Sequence, residues 1–148
     1  MFYYAICPAT CVILCVAATS VWCADARRAQ REIECRSAMT DEEFRDACRR
    51  FSNLDCTAIQ CVRKAFAEVA NVTPLQILPS DSLAEGACAT ATEDADADDA
   101  AVALHRLLKS RGYGAVLRPR SERLHMLMEV NTAEEWAALV SDWLRSGV

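Results

Sequence analysis

Residues 62–83 read VRKAFAEVANVTPLQILPSDSL, and the spacing of apolar side chains changes halfway along. Val62, Phe66 and Val69 recur at three and four residues, with Ile59 just before them, as the buried stripe of a helix does. Arg63, Lys64 and Glu68 lie off that stripe. Asp55 is placed to cap this helix at its start. Asn71 is placed to stop it, because Asn tolerates the left-handed cap conformation. The spacing therefore predicts a helix over 56–70. From Val72 onward, two prolines and two Ser/Asp turns exclude a long helix. Val72, Ile77 and Leu83 are regularly placed apolar pegs, so this segment reads as a structured loop pinned to a core.

Downstream, residues 84–97 (AEGACATATEDADA) are low in complexity and carry no large apolar side chain. Such a segment cannot bury itself, and a mobile acidic loop is expected. Its carboxylates fit no calcium-loop spacing. Asp98 or Asp99 is a cap for a helix running to about Arg111, with Leu104, Leu107 and Leu108 inward and Gly112 ending it. Ala115, Val116 and Leu117 are expected to cross extended before Pro119. A short helix over 121–129 carries Leu124, Leu127 and Met128. Thr132 and Glu135 then form a capping box. It opens a last helix to about Arg145, whose buried face is Trp136, Leu139, Val140 and Trp143.

Upstream, Thr40 and Glu43 form another capping box. A short helix is expected to reach about Phe51, docking Phe44, Cys48 and Phe51 on the domain that follows, with a break at Ser52 and Asn53. Residues 24–38 are basic and polar, with only Ile33 strongly apolar, and read as a juxtamembrane stalk continuing into water. Residues 2–23, from Phe2 to Cys23, contain no charge. As a helix they would span about 33 Å, enough to cross a bilayer core. Tyr3, Tyr4 and Trp22 sit where the two headgroup regions favour aromatics. Arg27, Arg28 and Arg31 follow the run and no Lys or Arg precedes it, which places the C-terminal side in the cytosol. A cleaved signal peptide competes with this reading, since Ala24-Asp25-Ala26 is a small-x-small site. A signal peptide wants a basic start and a shorter apolar core, and the chain has neither. Met39-Thr40-Asp41-Glu42-Glu43 would itself open a soluble protein, a third reading.

The full chain has 148 residues and a net charge of −5. Without the anchor and stalk about 110 residues remain, enough for one small domain. The charge does not favour nucleic acid as a partner. Few glycines and prolines against many Ala, Leu, Arg and Glu favour helix over strand. The nine cysteines make no CxxC pair and no disulfide framework or zinc signature. They read as small apolar thiols, with Cys23 placed for palmitoylation at the membrane edge. His105 and His125 are too few for a structural zinc. No HExxH, GxSxG, phosphate-binding glycine loop or dinucleotide fingerprint occurs.

From Cys56 to Leu144 the expected order is helix, pegged loop, helix, short helix, helix. With the details of residues 62–83, this order resembles the acyl carrier proteins over about 90 residues. DDAAVALHRLLKSRGYGAVL (residues 98–117) is similar to their second helix and its exit, and NTAEEWAALVSDWL (residues 131–144) to their final helix. The resemblance implies an all-α fold: a small four-helix bundle, here preceded by one transmembrane helix and a short helix. It also implies a serine in an Asp-Ser-Leu motif that carries phosphopantetheine. Asp81-Ser82-Leu83 has the tripeptide, but the apolar stripe of the second helix begins near Asp98, where no serine stands. Ser82 is therefore expected to satisfy a local turn. The family's second helix is typically acidic. Here Arg106, Lys109 and Arg111, joined by Arg118, Arg120 and Arg123, make it basic.

The organisation expected is thus an anchor over 1–23, a stalk over 24–38, a short helix over 39–55 and a carrier-like domain over 56–148. The expected function is a non-enzymatic, membrane-tethered interaction module with no cofactor, on the cytosolic face. Its contact for a protein partner or anionic lipid is the basic cluster from Arg106 to Arg123. The alternatives are a working acyl or aminoacyl carrier with phosphopantetheine on Ser82, and a secreted or periplasmic domain.

Overall fold

A computed structural model describes residues 28, 31–83, 93–117 and 122–147. The described chain is all-α: α1 Asp41–Ala47, α2 Cys56–Ala70, a 3₁₀ turn Pro74–Gln76, α3 Glu93–Ser110, α4 Glu122–Met128 and α5 Ala133–Arg145. Among the described residues there is no strand, only one isolated antiparallel bridge between Ser82 and Thr132. No described helix is long and apolar enough to cross a membrane. The anchor read in residues 2–23 lies outside the described residues.

α2 is the central element, with α1, α3, α5 and the 3₁₀ turn packed against it. Its bounds follow from local chemistry. The Asp55 carboxylate accepts from the amides of Thr57 and Ala58, and Asn71 takes the left-handed conformation at φ 53° that ends the helix. Ile59, Val62 and Phe66 are fully buried, as the stripe requires, with Val69 partly so. Trp136 of α5 meets Phe66 edge to face, ring centroids 5.2 Å apart. Its indole nitrogen donates to the Val130 carbonyl at 3.1 Å, so the largest core side chain is also hydrogen-bonded. α3 lies antiparallel to α2, as the pairs Arg111–Gln60 and Arg106–Glu68 show.

The loop from Val72 is pegged as its sequence indicates, with Ile77 and Leu83 buried and Val72 partly so. It docks on the start of α5. The amide of Ala133 donates to the Asp81 carbonyl at 2.9 Å and that of Glu134 to the Pro79 carbonyl at 3.0 Å. These are first-turn amides that a helix cannot satisfy internally.

Five expectations are corrected. α1 ends at Ala47, short of Phe51, because the chain leaves helical geometry at Cys48. That turn lets both Phe51 and Leu54 return to the core. α3 starts at Glu93 rather than near Asp98. Acidic residues at a helix N-terminus are favoured by its dipole, and the alanines between them are strong helix formers. The loop expected over 84–97 therefore stops before residue 93; residues 84–92 lie outside the described ones. Residues 114–116 turn rather than run extended, with the Val116 amide on the Tyr113 carbonyl at 3.0 Å. This places Val116 and Leu117 in the core. The stalk is not free in water at its C-terminal end, since Ile33 is 1% exposed. Finally, Arg63, read as lying off the stripe, is fully buried.

Candidate functional site

Asp81-Ser82-Leu83 is the one stretch that carries a chemical motif, and each of its residues is held by the fold. The Asp81 carboxylate is 5% exposed and lies against the Arg36 guanidinium, which donates to both oxygens at 2.7 Å. The same carboxylate accepts from the Leu78 amide at 2.8 Å, closing the turn before it. Ser82 is 9% exposed and faces Thr132 in the backbone bridge. Leu83 is 3% exposed in the core, and its amide donates to the Asn131 carbonyl. The tripeptide joins three parts of the chain: the end of the stalk, the pegged loop and the N-terminus of α5. It precedes α3 by ten residues, so it does not open that helix.

The stalk end reaches this joint through several contacts. Besides Arg36, Gln76 Nε2 donates to the Glu34 carbonyl at 2.9 Å. The Met39 amide donates to the Leu75 carbonyl at 2.8 Å. A second buried cation stands nearby. Arg63 donates to Asp41 at 2.5 Å and to the Met39 carbonyl at 2.6 Å, and lies 5.0 Å over the Phe44 ring. Sequence reading missed both arginines. The available signal was the position of Arg63 beside the Val62 stripe and four residues after Ile59, but its partner is 22 residues away.

Among the described residues, the basic side chains of the α3 region do not form one free patch. Arg106 is exposed and paired with Glu68 at 2.5 Å. Arg111 donates to the neutral Gln60 at 3.0 Å, and Lys109 is exposed in the last turn of α3. Arg123 is drawn inward. It donates to the Val116 carbonyl at 3.2 Å and lies 5.6 Å over Trp143. Arg118 and Arg120 lie outside the described residues.

His125 of α4 and Glu129, one residue past its end, stand 3.5 Å apart, both exposed. Among the described residues no group of three or more His, Cys, Asp and Glu is gathered as a metal would require. A cleft of about 450 Å³ opens between residues 50–54 and α5. On its rim Arg145 pairs with Asp142, Glu135 accepts from the amides of Asn131 and Thr132, and Arg50 is exposed. Cys48 and Cys61 are buried. Burial pushes the Cys48 thiol up to about 12, helped by Glu134 and opposed by Arg63. Burial also pushes Cys61 up, with Arg111 and Lys64 opposing. Neither is an activated nucleophile.

Comparison of the chain with protein-family models, curated proteins and solved structures finds no match.

Proposed function

We propose that this chain is a non-enzymatic helical interaction module with a degenerate acyl-carrier-like bundle. In this reading it is tethered by residues 2–23, with its C-terminal domain on the cytosolic face. The observation that carries the reading is the state of Asp81-Ser82-Leu83. A carrier serine must present its hydroxyl to a transferase and then hold a long arm in solvent. Ser82 is buried, and the neighbouring carboxylate is committed to Arg36 and Leu78. What the chain offers to solvent near α3 is basic surface, chiefly Lys109 and Arg111, suited to an acidic protein or an anionic lipid surface.

Intact mass of the full chain, co-expressed with a broad-specificity phosphopantetheinyl transferase, tests this directly. An unmodified mass is expected. A mass increase of one arm, lost in Ser82→Ala, would replace this reading with that of a working acyl or aminoacyl carrier. A C-terminal reporter that fluoresces only in the cytosol tests the topology, and its silence would favour an exported domain.

A further inference from the structure

The stalk end is built into the domain, which fixes the face of the domain nearest the tether. Residues 33–39 run against the Pro74–Gln76 turn through Ile33, Arg36, Gln76 and Met39. Beside that turn Leu75 is 45% exposed. Leu75, Pro74, Gln60 and Lys64 line one shallow hollow together with Asp41 and Arg63. Asp41 and Arg63 neutralise each other. Lys64 is exposed and has no carboxylate partner among the described residues, and Arg111 extends the same surface through its bond to Gln60. An exposed leucine sharing a hollow with one cation, with a second cation bound to the rim of that hollow, is the pattern of a shallow interfacial contact, with the apolar side chain in the headgroup boundary and the cations at anionic heads.

We propose that the face formed by Leu75, Lys64 and Arg111 rests on the anionic leaflet of the membrane that holds the chain. The proposal rests on the tethered reading given above. Nine residues lie between Cys23 and Ile33, and the ten steps span at most about 35 Å even when fully extended. A tether this short keeps the adjoining face at high effective concentration near the lipid. Weak contacts therefore suffice, and each cation contributes about fivefold in partitioning. The domain then lies against the membrane in one orientation instead of swinging on a linker, and presents its opposite side to the cytosol. A protein partner is the competing occupant of this face. The hollow is shallow and its polar groups are largely paired internally, which fits a planar charged surface better than an inserted side chain.

The test reconstitutes the full chain in phosphatidylcholine vesicles, with and without phosphatidylserine, doped with a photoreactive lipid whose cross-links are mapped by mass spectrometry. Cross-links are expected at residues 73–76 and around Lys64, rising with phosphatidylserine. They should fall about fivefold for each of Lys64→Gln and Arg111→Gln, each of which removes one positive charge. Both positions are exposed, so helix content should not change. Cross-links confined to residues 2–23 would overturn the proposal while leaving the tether intact. Cross-links at Arg123, which lies over Trp143, instead of at residues 73–76 would place the contact elsewhere on the domain and also overturn it. A chain that fails to co-sediment with either vesicle would remove the tether and this proposal together.

Discussion

Arg36 grips both carboxylate oxygens of Asp81 across 45 residues of sequence, each at 2.7 Å. Asp81 is 5% exposed and Arg36 28%, so the two ends of this bond are not equivalent. Removing the acid leaves a half-buried guanidinium unpaired and the Leu78 amide without its acceptor. Asp81→Ala is expected to cost about 3 kcal/mol, and Arg36→Ala a similar amount, because it leaves the buried Asp81 carboxylate with only the Leu78 amide. The double mutant should show a coupling of about 1–2 kcal/mol. Urea titration of the detergent-solubilised chain measures it as midpoint shifts at constant slope. A coupling near zero would mean that the stalk end is not held by this pair.

Arg63 is the other long-range cation, and it differs in being fully buried while Asp41 keeps one-third of its side chain exposed. Its Nε is buried with no partner, so part of its desolvation is uncompensated. Arg63→Ala removes the packing on Phe44 and strands the Met39 carbonyl, with an expected cost of about 3 kcal/mol. Arg63→Met keeps most of the volume and removes the unsatisfied Nε, and should cost about half as much. If both variants lose equally, the hydrogen bonds and not the packing hold α1 on α2.

These two arginines mark the limit of what the sequence shows. α2 and α5 fall where the residues place them, because Asp55, Thr132 and Glu135 accept from amides within four positions, and the Asn71 amide donates to the Ala67 and Glu68 carbonyls just before it. The pegs Ile77 and Leu83 are legible for the same reason, being large apolar side chains between turn formers. The end of α1 and the turn at residues 114–116 are not, since they depend on how Phe51, Leu54 and Val116 return to a core built by distant helices. Ser82 sits in a motif that reads as chemistry. Only the approach of Arg36 and Thr132, from opposite directions in the chain, shows that the same tripeptide serves as a joint.

The cysteines divide by environment. Cys35 and Cys56 are exposed, whereas Cys48 and Cys61 are buried. The Cys48 thiol moves from its ordinary 9.0 to about 12, so near neutral pH its thiolate is about a thousandfold scarcer. Brief iodoacetamide treatment of the folded chain at mildly alkaline pH should therefore label Cys35 and Cys56 and spare Cys48 and Cys61. Peptide mapping reads the pattern, and denaturant should abolish the protection. Rapid labelling of Cys48 without denaturant would mean that α1 opens readily from α2.

Glu135 links the joint to pH. Its carboxylate accepts from the Thr132 amide at 3.0 Å and the Asn131 amide at 3.1 Å. The Thr132 amide is the main cause holding its pKa below the ordinary 4.5; burial opposes it as the next largest cause, and the Thr132 hydroxyl, Asn131 and Arg50 add further lowering. A folded pKa below the unfolded one means that the ionised form stabilises the fold. That stabilisation is complete above pH 4.5 and is lost as pH falls through the lower folded value. Glu43, capped by Thr40, shifts in the same direction. Glu135→Gln keeps an acceptor but no charge, and should cost about 1 kcal/mol at neutral pH. The gap between Glu135→Gln and the parent should close below pH 4.5, as the parent's own carboxylate takes up its proton. Because α5 begins at this cap and its first amides hold Pro79 and Asp81, the same acid titration should loosen the loop before the core, with amide exchange rising first at Asp81 and Leu83. A stability gap that stays constant from neutral pH to well below 4.5 would show that the charge of Glu135 does not hold this joint.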